Sequence, residues 1–263
     1  MKARALVLLG PGTNRDRDVV EALEAAGGEA AVLPVAEAAG ADFGAFGLLV
    51  IPGGFSYGDA LGAGALLALD LERRFAEQVR GFVDSGRPVL GICNGFQALV
   101  KAGILPGGGP TAKAPEVAGK GRDVTLARNA RGGFECRWVR LVAPSSRCAW
   151  TEGLPAFTCP VAHGEGRLTA SDEAVLTRLA DEGHIALVYA RADGRPAGGA
   201  WPENPNGSSL DIAGLCNHGG NVLGLMPHPE NAIRPRTRLS SDRGNDAVAR
   251  RLFENGIRLA RSS

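Results

Sequence analysis

Residues 88–100 read PVLGICNGFQALV, an apolar run that ends in a Gly-x-Cys-x-Gly turn and continues at helical spacing. This pattern predicts a strand, a sharp turn and a helix, with Cys93 at the tip of the turn. Gly91 and Gly95 leave the room that the tight backbone of a nucleophile elbow requires. The N-terminus of the helix would favour a thiolate at Cys93. The alternative is a buried free cysteine in an ordinary strand–turn–helix.

The segments around this turn indicate the fold class. Further buried, apolar strands are predicted at residues 5–9, 30–35, 46–51 and 221–226. Helices are predicted after a cap at Thr13 or Asn14, over residues 60–84, directly after Cys93, and over residues 245–259. Apolar strands that alternate with helices predict a mostly parallel central sheet with helices on both faces.

The sequence pattern changes in the middle of the chain, where shorter and more polar segments alternate with clusters of turn-forming residues. Strands are predicted there at residues 123–127, 134–142, 184–190 and 211–216. They indicate a smaller mixed or antiparallel extension that joins the parallel sheet. We therefore expect residues 1–263 to form a single domain.

Composition and charge exclude several classes of protein. A formal net charge of +1 argues against binding to nucleic acid or to an acidic membrane surface. Five cysteines without a CxxC pair argue against a disulfide framework and favour a reducing compartment. Apolar runs are too short for a membrane span, and the apolar start is too short for a signal peptide. We expect a cytoplasmic protein.

Residues 226–230 read MPHPE and follow the last apolar strand. In an extended backbone, His228 and Glu230 point to the same side. A cysteine nucleophile needs an imidazole to take its proton, and the imidazole needs a carboxylate to hold its orientation and tautomer. The alternative is a turn histidine with a solvated glutamate.

Residues 52–59 read PGGFSYGD and follow the third apolar strand. Gly53 and Gly54 leave backbone N–H groups free to face a ligand at the carboxyl edge of a parallel sheet. An oxyanion hole made of backbone N–H groups needs such a loop. The alternative is a plain turn between a strand and a helix.

The other histidines and glycine motifs suggest no bound metal or nucleotide. His163 lies in AHGEG, whose glycines indicate a shaped loop, and His184 begins a strand and is interpreted as structural. Neither these residues nor His218 shows the spacing of a metal site. The chain lacks a P-loop, so any ATP in the overall reaction would bind to another protein.

These motifs resemble those of a triad-type (class I) glutamine amidotransferase. More narrowly, the chain is similar to the glutaminase subunits of phosphoribosylformylglycinamidine synthases, from purine biosynthesis. The segments that match are GICNGFQ (91–97), PGGFSYGD (52–59), MPHPE (226–230), PGTN (11–14), AHGEG (162–166) and NPNGS (204–208). The likeness covers nearly the whole chain. Arg15, where relatives often have cysteine, and the basic segment 234–243 depart from the pattern.

The resemblance implies a flavodoxin-like α/β fold and the roles of the reacting groups. Cys93 would attack the side-chain amide of glutamine, His228 would move protons, and Glu230 would orient His228. Ammonia would leave, and water would hydrolyse the γ-glutamyl thioester to glutamate.

The resemblance also implies the residues that surround glutamine. Backbone N–H groups of Gly54 and Asn94 would hold the oxyanion, and Gly53 and Gln97 would help to bind glutamine. No cofactor or metal is expected in this chain.

The partner implied by the resemblance is an ATP-dependent synthetase subunit, which would bind ATP and Mg²⁺, often with a small third subunit. It would use the ammonia to convert formylglycinamide ribonucleotide to formylglycinamidine ribonucleotide, so the chain would be part of a ligase complex. The residues alone lead to a cysteine acyl-transfer enzyme. A cysteine hydrolase or peptidase on the same elbow stays an alternative, and the predicted triad argues against a noncatalytic binding module.

Overall fold

The structure is a computed structural model that describes residues 2–107, 123–234 and 244–262. The strands are β1 (Arg4–Leu9), β2 (Glu29–Pro34), β3 (Leu48–Ile51), β4 (Val89–Ile92), β5 (Val124–Ala127), β6 (Glu135–Val142), β7 (Phe157–His163), β8 (Arg167–Ala170), β9 (Ile185–Ala190), β10 (Ile212–Cys216) and β11 (Val222–Leu225). The helices are α1 (Asp16–Ala25), α2 (Ala65–Leu69), α3 (Ala76–Asp84), α4 (Asn94–Lys101), α5 (Glu173–Asp181) and α6 (Asn245–Ser262). Residues 235–243 of the basic segment lie outside the described residues.

Nine strands of the described chain form one sheet in the order β2-β1-β3-β4-β11-β10-β9-β6-β7. Strands β2, β1, β3, β4 and β11 are parallel. From β11 to β7 each neighbouring pair is antiparallel, and β5 pairs with β8 in a separate ribbon. The mostly parallel sheet with an antiparallel extension is therefore confirmed.

The central strands are buried on both faces, which explains why their sequences are apolar throughout. All residues of β3, β4 and β11 are buried, as expected for parallel strands covered by helices. Helix α4 packs on these three strands, and α6 packs on α1. The ring of Trp150 packs directly on the backbone of α6 at Gly256. A Cβ added to Gly256 would lie 2.2 Å from this ring.

The prediction of one helix over residues 60–84 is wrong. Leu61, Gly62 and Gly64 have φ values of 64°, 100° and 73°, which an α-helix does not allow. Helix α2 begins only after them, and a π-helical turn at Asp70–Arg74 separates α2 from α3. The apolar spacing conceals this break because both helices bury apolar side chains.

The cap predicted for the first helix is also wrong. Helix α1 follows Arg15 and has no side-chain cap. Thr13 instead forms an isolated bridge with Gly54, and the N–H of Phe55 donates to the carbonyl of Gly12 at 3.2 Å. The turn after β1 therefore supports the loop after β3.

Strands β7 and β8 and helix α5 were not predicted. Pro160 lies in the middle of β7 and removes one backbone donor, so the segment does not read as a strand. The sheet tolerates this proline because β7 is an edge strand. Within the described ranges, the helices are all too short or too polar to cross a lipid bilayer.

Candidate active site

Cys93 lies between β4 and α4 in a strained backbone conformation, with φ 50° and ψ −103°. The glycines on either side make this turn possible. A Cβ on Gly91 would lie 2.5 Å from Cδ1 of Leu99, and a Cβ on Gly95 would lie 2.0 Å from the carbonyl oxygen of Ile51. A non-glycine residue at such a φ costs about 1–3 kcal/mol and persists only where its surroundings enforce it. The geometry is that of the elbow expected from the sequence.

His228 and Glu230 follow β11 and are both buried. Nδ1 of His228 lies 2.6 Å from Oε1 of Glu230. Because a carboxylate only accepts, Nδ1 is the donor and the other ring nitrogen, Nε2, is left for chemistry. In the part of the chain that is described, Nε2 has no hydrogen-bond partner. The pair therefore keeps a proton on Nδ1 and makes Nε2 the nitrogen that can gain or lose one.

Opposing effects set the charge of His228. Burial lowers its pKa, but the negative charges of Glu230 and of a Cys93 thiolate outweigh burial and raise the pKa to about 10. His228 is therefore protonated at neutral pH. A positive charge therefore lies beside the side chain of Cys93.

The backbone at Gly53 lies against both reacting groups. A Cβ on Gly53 would lie 2.7 Å from Cε1 of His228 and 3.3 Å from Cβ of Cys93. Only glycine fits there without displacing the imidazole. The ends of β3, β4 and β11 thus bring the three motifs together at the carboxyl edge of the sheet, where open α/β sheets bind ligands.

Two backbone N–H groups, those of Gly54 and Asn94, are candidates for the predicted oxyanion hole. The N–H of Gly54 donates to no group in the described ranges. Asn94 is the first residue of α4, whose opening N–H groups have no partner inside the helix. Both groups agree with the predicted oxyanion hole, and their role stays a prediction.

The side chains of Asn94 and Gln97 are buried and join three segments. Oδ1 of Asn94 accepts from the N–H of Ser56 at 3.2 Å, and its Nδ2 donates to Oε1 of Gln97 at 3.0 Å. Nε2 of Gln97 donates to the carbonyl of Glu165. Gln97 therefore links α4 to the AHGEG turn, and its contact with glutamine stays a prediction.

Strand β7 folds over the site, which sequence reasoning missed. The N–H of His228 donates to the carbonyl of Pro160 at 2.8 Å. The sulfur of Cys93 lies 3.8 Å from the carbonyl oxygen of Ala162. The only signal was indirect, namely the AHGEG segment that begins at the end of this strand.

His163, the last residue of β7, is a neutral imidazole close enough to His228 to sense its charge. Burial and the positive charge of His228 lower its pKa to about 4. Nδ1 of His163 lies 3.2 Å from Oδ1 of Asn129, and that oxygen also accepts from the N–H of Gly166. Asn129 therefore holds the AHGEG turn in place by hydrogen bonds. No sequence motif indicated this residue.

The NPNGS segment supports the same turn from the other side. Nδ2 of Asn206 donates to the carbonyl of Gly166 at 2.8 Å and lies 3.1 Å from the hydroxyl of Tyr189. The hydroxyl of Ser208 donates to Oδ1 of Asn206 at 2.7 Å. This second motif is therefore structural and positions the first.

Comparison with known proteins agrees with this geometry. Residues 2–259 match the family described as CobB/CobQ-like glutamine amidotransferase domain. The chain is 50% identical to the phosphoribosylformylglycinamidine synthase subunit PurQ of Treponema denticola over 250 residues, 92% of this chain and 93% of that protein. The PurQ subunit of Dehalococcoides mccartyi is 41% identical over 236 residues, 89% of this chain and 87% of that protein.

A solved structure shows the same architecture. A chain in the structure of PurLQS from Thermotoga maritima superposes with a TM-score of 0.73 at 30% identity. The match covers 98% of this chain and 99% of that chain. Sequence and fold therefore point to the same relatives over nearly the full length.

Proposed function

The chain belongs to the CobB/CobQ-like glutamine amidotransferase family, and we propose that it is the glutaminase subunit of a phosphoribosylformylglycinamidine synthase. In this role it hydrolyses glutamine to glutamate and ammonia for purine biosynthesis. The observation that supports this activity best is the buried His228–Glu230 pair, 2.6 Å apart, beside a strained Cys93.

In the first proposed step, the sulfur of Cys93 attacks the side-chain carbonyl carbon of glutamine. A carbon–sulfur bond forms and an electron pair moves onto the carbonyl oxygen, which the N–H groups of Gly54 and Asn94 stabilise. His228 then donates its proton to the amide nitrogen as the carbon–nitrogen bond breaks. Ammonia leaves, and a γ-glutamyl thioester stays on Cys93.

In the second proposed step, neutral His228 takes a proton from water and the oxygen attacks the thioester carbon. The carbon–sulfur bond breaks, glutamate leaves, and Cys93 returns to a thiolate beside protonated His228. Glu230 keeps the same hydrogen bond throughout, because the tautomer that accepts a proton at Nε2 carries its other proton at Nδ1.

The ammonia is proposed to pass to an ATP-dependent synthetase subunit, which binds ATP and Mg²⁺, with a small third subunit in the same complex. The relatives are named as subunits of a synthase, and the structural relative comes from PurLQS. Both support an assembly of this kind. The synthetase converts formylglycinamide ribonucleotide to formylglycinamidine ribonucleotide.

Release of ammonia and glutamate from glutamine tests the proposal, with the cognate synthetase present. We expect Cys93→Ala to lower the rate by at least about 10³-fold, as removal of other catalytic nucleophiles does. Cys136→Ala is the control, because Cys136 is an exposed thiol. Unchanged hydrolysis in Cys93→Ala would refute the assignment.

Covalent labelling gives an independent test of the nucleophile. A glutamine-mimicking electrophile should modify Cys93 and leave Cys136, Cys148, Cys159 and Cys216 unlabelled, because it reacts where glutamine binds and not according to exposure, which is greatest at Cys136. Labelling that is confined to another cysteine contradicts the proposal. Faster hydrolysis of peptides than of glutamine favours the cysteine hydrolase alternative instead.

A further inference from the structure

Two histidines and a glutamate form a cluster at the edge of the sheet opposite Cys93. Glu182 follows α5, His184 precedes β9, and His218 lies in the turn between β10 and β11. Their potential ligand atoms all lie within 4.8 Å of one another. We propose that this cluster binds a divalent transition-metal ion such as Zn²⁺.

The hydrogen bonds of His184 determine which ring nitrogen is available. Its Nδ1 lies 3.0 Å from the carbonyl oxygen of Cys216. A carbonyl only accepts, so Nδ1 carries a proton. The other nitrogen, Nε2, lies 3.1 Å from Oε2 of Glu182. Nε2 and this carboxylate oxygen therefore face each other at a separation from which both could ligate one ion.

The hydrogen bond at Nδ1 of His184 is of the kind that orients metal-binding histidines. Metal-binding histidines almost always donate their other ring N–H to a carbonyl or carboxylate, which fixes the tautomer and the ring orientation. The His184 side chain is 5% exposed. Its backbone is held as well, because the N–H of Cys216 donates to the carbonyl of His184 at 2.9 Å. Nε2 is therefore fixed in place before any ion binds.

His218 distinguishes a metal site from a simple ion pair. A protonated His184 would need only Glu182 as its partner, whereas His218 adds a third donor. Two imidazoles and one carboxylate are a known donor set for Zn²⁺, with the fourth position left to water. Glu182 and His218 are exposed, so their side chains have the freedom to close around the ion.

Arg147 is the neighbouring cation that opposes this site. Its guanidinium donates to the backbone carbonyls of Glu182, at 2.7 Å, and of His218. These bonds hold both ligand-bearing segments together, while the positive charge disfavours a cation. The proposed role is structural: the ion ties the end of α5 to the β10–β11 turn, away from the reacting groups.

Calorimetric titration of Zn²⁺ alone into the full chain tests the proposal. Because thiolates bind zinc, the titration uses a Cys93→Ser, Cys136→Ser background treated with a chelator. We expect one ion per chain. His218→Ala and Glu182→Gln should each weaken binding about 10–100-fold. Glu173→Gln, an exposed carboxylate at the start of α5, is the control and should bind like the background.

Co²⁺ gives a second readout, because tetrahedral Co²⁺ absorbs visible light strongly. The absorption should appear at one equivalent and be lost in His218→Ala. The proposal is overturned if the background binds no Zn²⁺, or if both variants bind it as tightly as the background does. Zinc-independent protonation of both nitrogens of His184, seen by NMR, would identify an ion pair instead.

Discussion

Glu230 controls the charge of its neighbour His228. It is buried, and its charge helps to raise the pKa of His228 from 6.5 to about 10. A histidine whose pKa is higher in the folded than in the unfolded state stabilises the fold when it is protonated, and this stabilisation declines over the pH range in which only the folded state keeps the proton. This contribution is fully present below about pH 6.5 and is lost as the pH rises through about 10.

Glu230→Gln removes that charge while keeping the shape. We expect the pKa of His228 to fall and kcat for glutamine hydrolysis to drop about 10²–10⁴-fold, because the tautomer is no longer enforced. Between pH 6.5 and 10, the free energy of unfolding should also fall by a smaller amount in the variant than in the wild type. Denaturant titrations across this pH range measure the free energy of unfolding, with Glu173→Gln as the control. An unchanged kcat would show that Glu230 does not orient His228.

Gly53→Ala tests the close approach of the loop to the reacting groups. The new methyl group would meet Cε1 of His228 at 2.7 Å, so the imidazole has to move. A displacement of this kind costs about 10²-fold in rate, and we expect kcat to fall while the fold stays intact. Gly81→Ala is the control, because the site on α3 is open and alanine stabilises a helix by about 0.5–1 kcal/mol. Equal kcat values for both variants would contradict the geometry.

At the scale of elements, strands and helices with one dominant apolar pattern could be predicted from the sequence, and others could not. β3, β4 and β11 are continuous apolar runs because both faces are covered. The break between α2 and α3 depends on left-handed residues that apolar spacing does not reveal. β7 lies at the edge of the sheet beside β6 and contains Pro160, which removes one backbone donor, so its local sequence does not read as a strand.

The AHGEG and NPNGS turns depend on each other, and Asn206 is the link between them. Asn206 is fully buried. Its Nδ2 donates to the carbonyl of Gly166 and lies 3.1 Å from the hydroxyl of Tyr189. Asn206→Ala leaves buried groups without partners, so we expect a loss of about 1–3 kcal/mol in unfolding free energy. Chemical denaturation measures this loss. The glutaminase rate should fall too, because the turn contacts Gln97. Full stability in the variant would argue against this link.

At the scale of the whole molecule, the parallel sheet explains why distant motifs meet. Strands β3, β4 and β11 are neighbours and run in the same direction, so the residues that follow each of them gather at one edge. The proximity of Cys93, His228 and Glu230 could be predicted from the sequence for this reason, and their catalytic roles stay a prediction. Asn129 and the carbonyl of Ala162 could not, because the antiparallel extension brings them to the site by folding back.

The separation of ammonia release from ammonia use gives a prediction for the assembled complex. If the chain only supplies ammonia, Cys93→Ala should abolish the glutamine-dependent formation of formylglycinamidine ribonucleotide by the complex with its synthetase. The same complex should keep its wild-type rate when ammonium salt replaces glutamine, because the synthetase chemistry does not involve Cys93. Both rates are measured on one preparation, and gel filtration confirms that the variant still binds its partner. Loss of both rates in an intact complex would show that this chain does more than release ammonia.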